Sequence, residues 1–122
     1  MIKGTGIDIE EISRFNGIEN KEGLMRKCFT ERETEHILSM SGKAQTAAGI
    51  FCAKEAFFKA AGMGIFKYPL KDIEVRYKDS GAPYFEYYGK IAEYMEGSEA
   101  FLSISHSGGM ACAQVIIEDK EM

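Results

Sequence analysis

One stretch of the sequence decides the fold: Ala44 to Ala61 has the sequence AQTAAGIFCAKEAFFKAA. It contains no proline and one glycine, Gly49, and it is rich in alanine, phenylalanine, lysine and glutamate, which predicts a long helix. Gly62 and Gly64 follow directly and act as a stop signal, because glycine readily adopts the left-handed conformation at a helix end. We expect this helix to be the central element of the fold.

The segment before it begins with a predicted strand. The segment from Ile2 to Ile9 resembles a strand, in which Ile7 and Ile9 share one face while Gly6, Asp8 and Glu10 point to the other. We expect the isoleucine face to pack on the rest of the protein and Asp8 to point to the other side.

The remaining elements follow from capping, alternation and turn signals. Thr30 and Glu33 form a T-x-x-E capping box, which predicts a helix start. The other predicted elements are a short helix at 11–15, a hairpin of 73–77 and 84–87, a short helix at 89–95, and strands at 101–106 and 110–118 around the turn 107–109. The order predicts an α+β fold in which a largely antiparallel sheet packs on one long central helix.

Composition limits the classes of protein to consider. The chain has 122 residues, which fits a single domain over 1–122. Its net charge of -4 makes a broad cationic surface for nucleic acid or anionic lipid unexpected. The three cysteines lie among apolar neighbours without CxxC spacing and are predicted to be reduced thiols. Since no leader-like start and no membrane-length apolar run is present, we expect a cytoplasmic protein.

Two charged residues continue an apolar face of the predicted long helix. At about 100° per residue, Glu55 and Lys59 fall in one stripe with Ala48, Phe51 and Cys52. On a solvated surface they would form an ordinary i,i+4 ion pair. On an apolar face, a half-buried carboxylate needs a partner charge or a metal, because uncompensated desolvation is costly. The residues alone leave both interpretations open.

Asp8 supplies a second carboxylate, on a strand that follows Gly4 and Gly6. Glycines let a ligand or a neighbouring backbone approach closely. Two carboxylates are too few for a closed metal cage, but Mg²⁺ uses such a pair when substrate phosphates and water complete its octahedron. The alternative is that Asp8 only caps the helix that follows.

A histidine lies among hydroxyl residues near the end of the chain, in the sequence Ser103-Ile104-Ser105-His106-Ser107. A Ser–His pair suggests a nucleophile and its base, but adjacent residues on a strand point to opposite faces. A neutral, hydrogen-bonding histidine is favoured unless a phosphate binds nearby.

Together these motifs resemble the holo-[acyl-carrier-protein] synthase family of 4′-phosphopantetheinyl transferases. The segment 4–15 is similar to the pattern G-x-G-x-D-x-x-x-x-x-R-F, and the segment 51–60 is similar to F-x-A-K-E-A-F-x-K-A. The other matching motifs, in order, are Phe29-Thr30-x-x-Glu33, Gly62-x-Gly64, Gly81-Ala82-Pro83, and Ser103-Ile104-Ser105-His106. The resemblance runs over nearly the whole chain.

This resemblance implies an enzyme of fatty acid biosynthesis that moves 4′-phosphopantetheine from coenzyme A to a serine of apo-acyl carrier protein and releases 3′,5′-ADP. It implies that Asp8 and Glu55 bind Mg²⁺ together with the coenzyme A pyrophosphate, and that Lys59 binds the same phosphates. We expect all three residues to be catalytic, with Glu55 as the base for the serine hydroxyl.

The resemblance also assigns substrate contacts. Gly62 and Gly64 would line the coenzyme channel, Pro83 would lie near the adenine, and Ser105 and His106 would approach the nucleotide end.

Partner contacts are implied as well. Arg14 and Arg26 would belong to a local basic patch for the acidic acyl carrier protein. The family resemblance implies a homotrimer, and a second apolar face of the long helix is expected to meet a partner chain. The residues of that face are Ile50, Ala53, Phe57 and Ala61.

Two departures from the family pattern affect coenzyme A binding. Ile50 stands where arginine is usual, and the turn 107–110 lacks the usual polar and aromatic residues. Lys43, Lys54, Lys67 and His106 are candidates to replace the missing charge, and the turn 107–109 could offer backbone N–H groups to an anion. Two other functions fit the residues less well. A magnesium-dependent nucleotide phosphohydrolase would need a further water-activating base, and a non-catalytic binding module would make Glu55 and Lys59 a surface pair.

Overall fold

The computed structural model describes residues 1–64 and 67–120 and has the predicted α+β architecture. Its elements are β1 (Ile2–Glu11), 3₁₀ helices at Ile12–Phe15 and Ile18–Asn20, α1 (Glu22–Cys28), α2 (Glu31–Ser39), α3 (Lys43–Ala61), a 3₁₀ helix at Leu70–Asp72, β2 (Ile73–Tyr77), β3 (Pro83–Tyr87), α4 (Gly89–Met95), β4 (Ser98–Ser107) and β5 (Met110–Asp119). Helix α1 was not predicted, because it is short and Gly23 interrupts its helical pattern.

Two antiparallel sheets replace the one that the sequence predicted. The larger has the strand order β1-β5-β4, and the smaller is the β2-β3 hairpin. Gly108 and Gly109, between β4 and β5, have φ angles of 57° and 81°, which a tight two-residue hairpin turn requires. The β2-β3 hairpin shares no strand pairing with the larger sheet, and it lies beside α3 through the contact of Phe85 with Phe57.

Helix α3 is buried on both of its apolar faces within one chain. Ile50, Ala53 and Phe57 are all 0% exposed. The ring of Phe57 packs against those of Phe85 and Tyr87 on β3, with centroids 5.5 and 5.7 Å apart. The prediction that this face meets a partner chain is therefore wrong, since the β2-β3 hairpin covers it.

Strand β1 packs on α3 through the face opposite to the predicted one. Ile7 and Ile9 are 64% and 61% exposed, whereas Asp8 is 8% exposed. The strand lies so close to the helix that a Cβ on Gly6 would overlap the carbonyl oxygen of Ala56. The glycines select the packing face because they remove the side chains that would hold the strand away.

A buried ion pair joins α3 to the start of α2. The predicted capping box is present: Thr30 Oγ1 accepts from the Glu33 N–H, and Glu33 Oε1 accepts from the Thr30 N–H. Lys54 Nζ donates to the same Glu33 oxygen at 2.6 Å and to the carbonyl oxygens of Cys28 and Leu70 at 2.8 and 2.9 Å. All three ammonium protons thus have acceptors, which accounts for a fully buried lysine.

The cysteines are free thiols, as predicted. Burial raises the pKa of both Cys28 and Cys52, which keeps these thiols protonated. Across the described ranges, no helix has the length and apolar character that crossing a membrane would require.

Candidate active site

Asp8 on β1 and Glu55 on α3 form the centre of a buried acidic cluster. They are 8% and 6% exposed. Burial, followed by the charges of Asp8 and Glu10, raises the pKa of Glu55 to about 7. Burial, followed by a hydrogen bond and repulsion from Asp8, also raises the pKa of Glu10. The close approach of β1 to α3 therefore brings together the two carboxylates that the sequence predicted.

Glu10 is a member of this cluster that the sequence analysis did not assign. The sequence could have indicated Glu10, because residues two apart on a strand share a face and Asp8 was already a candidate site residue. Glu10 also forms an ion pair with Arg14, which anchors its carboxylate beside the cluster.

One oxygen of Asp8 is buried without a protein partner. Asp8 Oδ1 accepts from Lys59 Nζ, whereas Oδ2 is, within the described residues, a buried side-chain oxygen with no hydrogen bond. The 3₁₀ helix after β1 has no side-chain cap, so the interpretation of Asp8 as a cap is wrong. An unsatisfied buried carboxylate oxygen is costly unless a cation or donor occupies the site.

Lys59 completes the cluster from the last turn of α3. Its Nζ lies 3.1 Å from Asp8 Oδ1 and 3.0 Å from the Ile7 carbonyl oxygen. Its side chain is 50% exposed. Lys59 on α3 therefore forms its ion pair with Asp8 on β1, and not an i,i+4 surface pair with Glu55. Its half-exposed side chain remains accessible to solvent.

Pro83 and His106 meet in a cavity of about 240 Å³ that α2, α3, β2, β3 and β4 surround. His106 Nε2 lies 2.9 Å from Gln45 Nε2, and this hydrogen bond holds the imidazole at the cavity edge. The residues that line the cavity are His36, Met40, Gln45, Thr46, Gly49, Tyr77, Gly81, Pro83, Ile104 and His106. The lining that residues 1–64 and 67–120 provide thus contains no lysine or arginine.

The cavity and the acidic cluster are separate within one chain. Gln45 and Glu55 lie on the same helix ten residues apart, which corresponds to about 15 Å along its axis. Gly62 ends that helix with a φ of 69°, directly beyond Lys59, while Gly64 is exposed. These glycines therefore lie at the cluster end of α3.

Ser105 does not join His106. It is exposed and, by the alternation of β4, points to the other face of the strand. The contact of His106 is with Gln45, so a Ser–His nucleophile is not formed by these residues.

One of the proposed replacements for a family arginine, Lys54, is wrong, and Ile50 itself lies in the core. Ile50 is 0% exposed and belongs to the core, whereas its neighbour Gly49 lines the cavity. Lys54 is held by the buried pair with Glu33 and cannot reach a ligand in the cavity. Lys43 Nζ bonds to the carbonyl oxygen of Met40, at the N-terminal end of α3.

The two arginines predicted to bind a partner lie on the surface but are both paired. Arg14 forms an ion pair with Glu10 and lies over the ring of Phe51, 5.6 Å from its centroid. Arg26 Nη2 lies 3.9 Å from Glu22 Oε2. The basic surface here is therefore partly neutralised by this chain's own glutamates.

The fold and its acidic cluster define a class of protein. The family model for the 4′-phosphopantetheinyl transferase superfamily matches residues 4–114. The holo-[acyl-carrier-protein] synthase of Fusobacterium nucleatum is 40% identical over 121 residues, covering 96% of this chain and 99% of the relative. That of Enterococcus faecalis is 41% identical over 123 residues, covering 98% and 100%.

Solved structures agree with these sequence relatives. The holo-(acyl-carrier-protein) synthase of Bacillus anthracis, in complex with CoA (3′,5′-ADP), is 38% identical, covers 98% of each chain and has a TM-score of 0.82. The synthase of Neisseria meningitidis has a TM-score of 0.87 at 28% identity, over 97% of this chain and 99% of that one. This chain belongs to the holo-[acyl-carrier-protein] synthase family.

Proposed function

We propose that this chain transfers 4′-phosphopantetheine from coenzyme A to a serine of apo-acyl carrier protein, with 3′,5′-ADP as the other product. The observation that carries the proposal is the cluster of Asp8, Glu55 and Lys59 in a chain that matches this family along nearly its whole length. The relatives' shared name, and the relative in complex with CoA (3′,5′-ADP), support the substrate pair. A role in fatty acid biosynthesis and a cytoplasmic location stay predictions.

Mg²⁺ is the proposed cofactor, and the donor set fits it. Hard carboxylate oxygens are the ligands that Mg²⁺ prefers, and the unpartnered Asp8 Oδ2 beside Glu55 is the oxygen that such a cation would satisfy. No group of three or more His, Cys, Asp and Glu side chains with metal-site geometry occurs among the described residues. We therefore propose that Asp8 and Glu55 hold the ion and that substrate phosphates and water supply its other ligands. When bound, Mg²⁺ would neutralise charge on the pyrophosphate.

The residues of this chain can perform the remaining chemistry. The serine hydroxyl oxygen would attack the phosphorus bonded to pantetheine, forming the Ser–O–P bond as the bond to the 3′,5′-ADP oxygen breaks. Glu55 is the proposed base for the serine proton; in the metal-free chain, burial and the neighbouring carboxylates raise its pKa to about 7. Lys59, half exposed beside Asp8, is placed to bind the phosphates and offset the charge on the leaving group.

A homotrimer is proposed on a different surface from the one that the sequence suggested. The outer face of the three-stranded sheet exposes Ile7, Ile9 and Phe101, at 64%, 61% and 48%. Large apolar side chains in such numbers on one sheet face favour an interface with another copy. Because one chain keeps its cavity apart from its acidic cluster, we propose that each complete site lies between subunits.

Acyl carrier protein is the proposed macromolecular substrate. Arg14 and Arg26, together with Lys21 and Lys27 from the same stretch of the sequence, would give an acidic partner its docking charges. Both arginines would then exchange their present glutamate partners for carboxylates of the carrier, which favours speed and specificity of association over affinity.

Mass spectrometry of the carrier tests the proposed function. The protein is incubated with coenzyme A, Mg²⁺ and apo-acyl carrier protein, and the mass of the carrier is then measured. We expect a phosphopantetheine adduct and an equal amount of 3′,5′-ADP. Nucleotide turnover without the adduct would instead indicate a hydrolase, and an unchanged carrier with no nucleotide turnover would indicate a non-catalytic module. A parallel reaction with EDTA in place of Mg²⁺ tests the cofactor separately.

A further inference from the structure

One ion pair links the acidic cluster to the surface that is proposed to bind the acyl carrier protein. Arg14 Nη1 donates to Glu10 Oε1. The side chain of Glu10 is 13% exposed, whereas that of Arg14 is 57% exposed. The pair therefore joins a nearly buried carboxylate to a guanidinium group that a partner protein can reach.

Glu10 interacts with both proposed metal ligands. Its carboxylate and that of Asp8 repel each other, and its charge also acts on Glu55. The charge of Arg14 opposes this repulsion, because it acts on Glu10 and on Glu55 as well. In the free chain, Arg14 therefore neutralises Glu10 and reduces the negative charge that the cluster presents to a cation.

The other contacts of the Arg14 guanidinium group are with aromatic rings. It lies over Phe15 and Phe51, 5.8 and 5.6 Å from their ring centroids. Phe51 is on α3, four residues before Glu55, so the helix of the candidate base also carries part of this aromatic surface. Ion pairs and cation–π contacts at exposed positions are individually weak. A carboxylate of an acidic partner can therefore compete with Glu10 for Arg14.

We propose that Glu10 and Arg14 couple the docking of the carrier to the binding of the cation at Asp8 and Glu55. When a carrier carboxylate pairs with Arg14, Glu10 loses its partner, and its negative charge becomes available to the cation. When the cation is bound first, Glu10 is attracted to it and holds Arg14 less firmly. Each ligand therefore strengthens the binding of the other by the same factor.

This inference rests on the proposed function, which supplies the carrier and Mg²⁺. It adds Glu10 as a residue that adjusts the strength of the cation site to the state of the docking surface. The site would reach its full negative charge only when the acceptor protein is present. Binding energy of the correct carrier would then complete the site, as in induced fit.

The second arginine of the docking surface provides an internal comparison. Arg26 also forms an i,i+4 ion pair, with Nη2 3.9 Å from Glu22 Oε2. Both residues lie on α1, and the Glu22 side chain is 88% exposed. If the carrier displaces Glu22 from Arg26, the released charge enters the solvated surface and not the cluster. This pair should therefore contribute to docking without affecting the cation.

Calorimetric titration with Mg²⁺ tests the proposal. The protein is titrated in the presence of 3′,5′-ADP, with and without saturating apo-acyl carrier protein, and a titration of the carrier alone is subtracted. No transfer occurs, because coenzyme A is left out. We expect the carrier to lower the dissociation constant of Mg²⁺ by about fivefold or more. The dissociation constant of the carrier should fall by the same factor when Mg²⁺ is saturating.

Two substitutions should abolish this coupling but have different effects on the free protein. Arg14→Gln leaves Glu10 without its partner, so Mg²⁺ should bind about threefold or more tightly without the carrier. Glu10→Gln removes the carboxylate, so Mg²⁺ should bind no more tightly than to the wild type. In both variants the carrier should change the dissociation constant of Mg²⁺ by less than about twofold. A purely structural role of the pair would move both variants in the same direction.

Glu22→Gln is the matched control and should keep the wild-type coupling. The titrations without the carrier apply even if Arg14→Gln weakens docking. The proposal is overturned if the carrier leaves the Mg²⁺ affinity of the wild type unchanged, or if the coupling persists in Glu10→Gln.

The transfer assay separates this failure from that of the proposed function. A wild type that modifies the carrier but shows no coupling overturns the role of Glu10 and Arg14 alone. A wild type that neither modifies nor binds the carrier overturns both proposals.

Discussion

Lys59 Nζ lies 3.1 Å from Asp8 Oδ1, while Oδ2 of the same carboxylate is buried and has no protein hydrogen bond. The two oxygens of Asp8 thus have different environments. One is satisfied by a cation of the protein, and the other is buried without a hydrogen bond to any residue that the structure describes. This asymmetry suits a carboxylate that must bind a second cation without losing its position.

Removal of the Asp8 carboxylate should lower the transfer activity without lowering the stability of the fold. We expect Asp8→Ala to lower the transfer rate by about 10²-fold or more, because it removes a ligand of the Mg²⁺ that would neutralise charge on the pyrophosphate. The metal-free protein should unfold at the same or a higher temperature, since repulsion with Glu10 and Glu55 is relieved. Glu11→Ala, an exposed change on the same strand, should leave both measurements near the wild-type values. Full activity in Asp8→Ala would contradict the metal assignment.

Lys59 should be needed for turnover. Lys59→Ala is expected to slow transfer by on the order of 10²-fold, because an ammonium group beside the phosphates no longer offsets the developing charge. The comparison is Lys90→Ala, which removes an exposed lysine from α4. The measurement is the steady-state rate of carrier modification by both variants. A Lys59→Ala rate within twofold of the Lys90→Ala rate would show that Lys59 is a surface residue without a role in transfer.

The close contact between β1 and α3 can be tested with a single methyl group. Gly6→Ala should destabilise the protein by about 1–3 kcal/mol, because the new Cβ overlaps the Ala56 carbonyl oxygen. It should also impair transfer by moving Asp8 away from α3. Gly23→Ala adds the same methyl group in α1, where no heavy atom lies within 4 Å, and should be neutral or slightly stabilising. Urea unfolding of both variants gives the comparison, and equal stabilities would show that β1 can shift freely.

The proposed trimer should depend on the outer sheet face. Ile9→Lys should convert a sedimenting trimer into monomers that remain folded, because it places a charge in an apolar interface. Leu38→Lys changes another exposed apolar residue, 45% exposed on α2, and should leave the trimer intact. Phe57→Glu should instead unfold the chain, since Phe57 lies in the core. A wild type that sediments as an active monomer would rule out the trimer.

Discrimination between coenzyme A and its dephospho form should be weak. Among the described residues, the cavity lining contains no lysine or arginine, so within this part of one chain no permanently charged side chain there binds the 3′-phosphate. We expect Michaelis constants for the two donors that differ by less than about tenfold, since a charge-assisted bond is missing. Ile50→Arg should not restore discrimination but should destabilise the fold, because it buries a guanidinium group. Strong wild-type preference for coenzyme A would show that a cation from another subunit binds the phosphate.

Much of this arrangement could be predicted from local sequence pattern. The long helix, the capping box of Thr30 and the Gly108-Gly109 turn follow from preferences of single residues and short spacings. The motif resemblance singled out Asp8, Glu55 and Lys59, and the fold brings these three together.

The packing faces could not be predicted in the same way. Hydrophobic alternation assigned Ile7 and Ile9 to the core, but the missing side chains of Gly4 and Gly6 set the closest approach to α3. Burial of Phe57 depends on a hairpin that comes much later in the chain. Long-range packing of this kind leaves no local signal in the sequence.

The three acceptors around Lys54 have a mechanical consequence for the catalytic helix. The middle of α3 packs in the core through Ile50, Phe51 and Phe57, and Lys54 adds a polar anchor to this packing. The ammonium group of Lys54 is fixed by Glu33 and by two backbone carbonyls, so it sets the rotation angle of the helix. Glu55, the next residue, projects about 100° further round and is thereby aimed at β1. The buried ammonium group of Lys54 thus helps to keep the Glu55 carboxylate directed at Asp8.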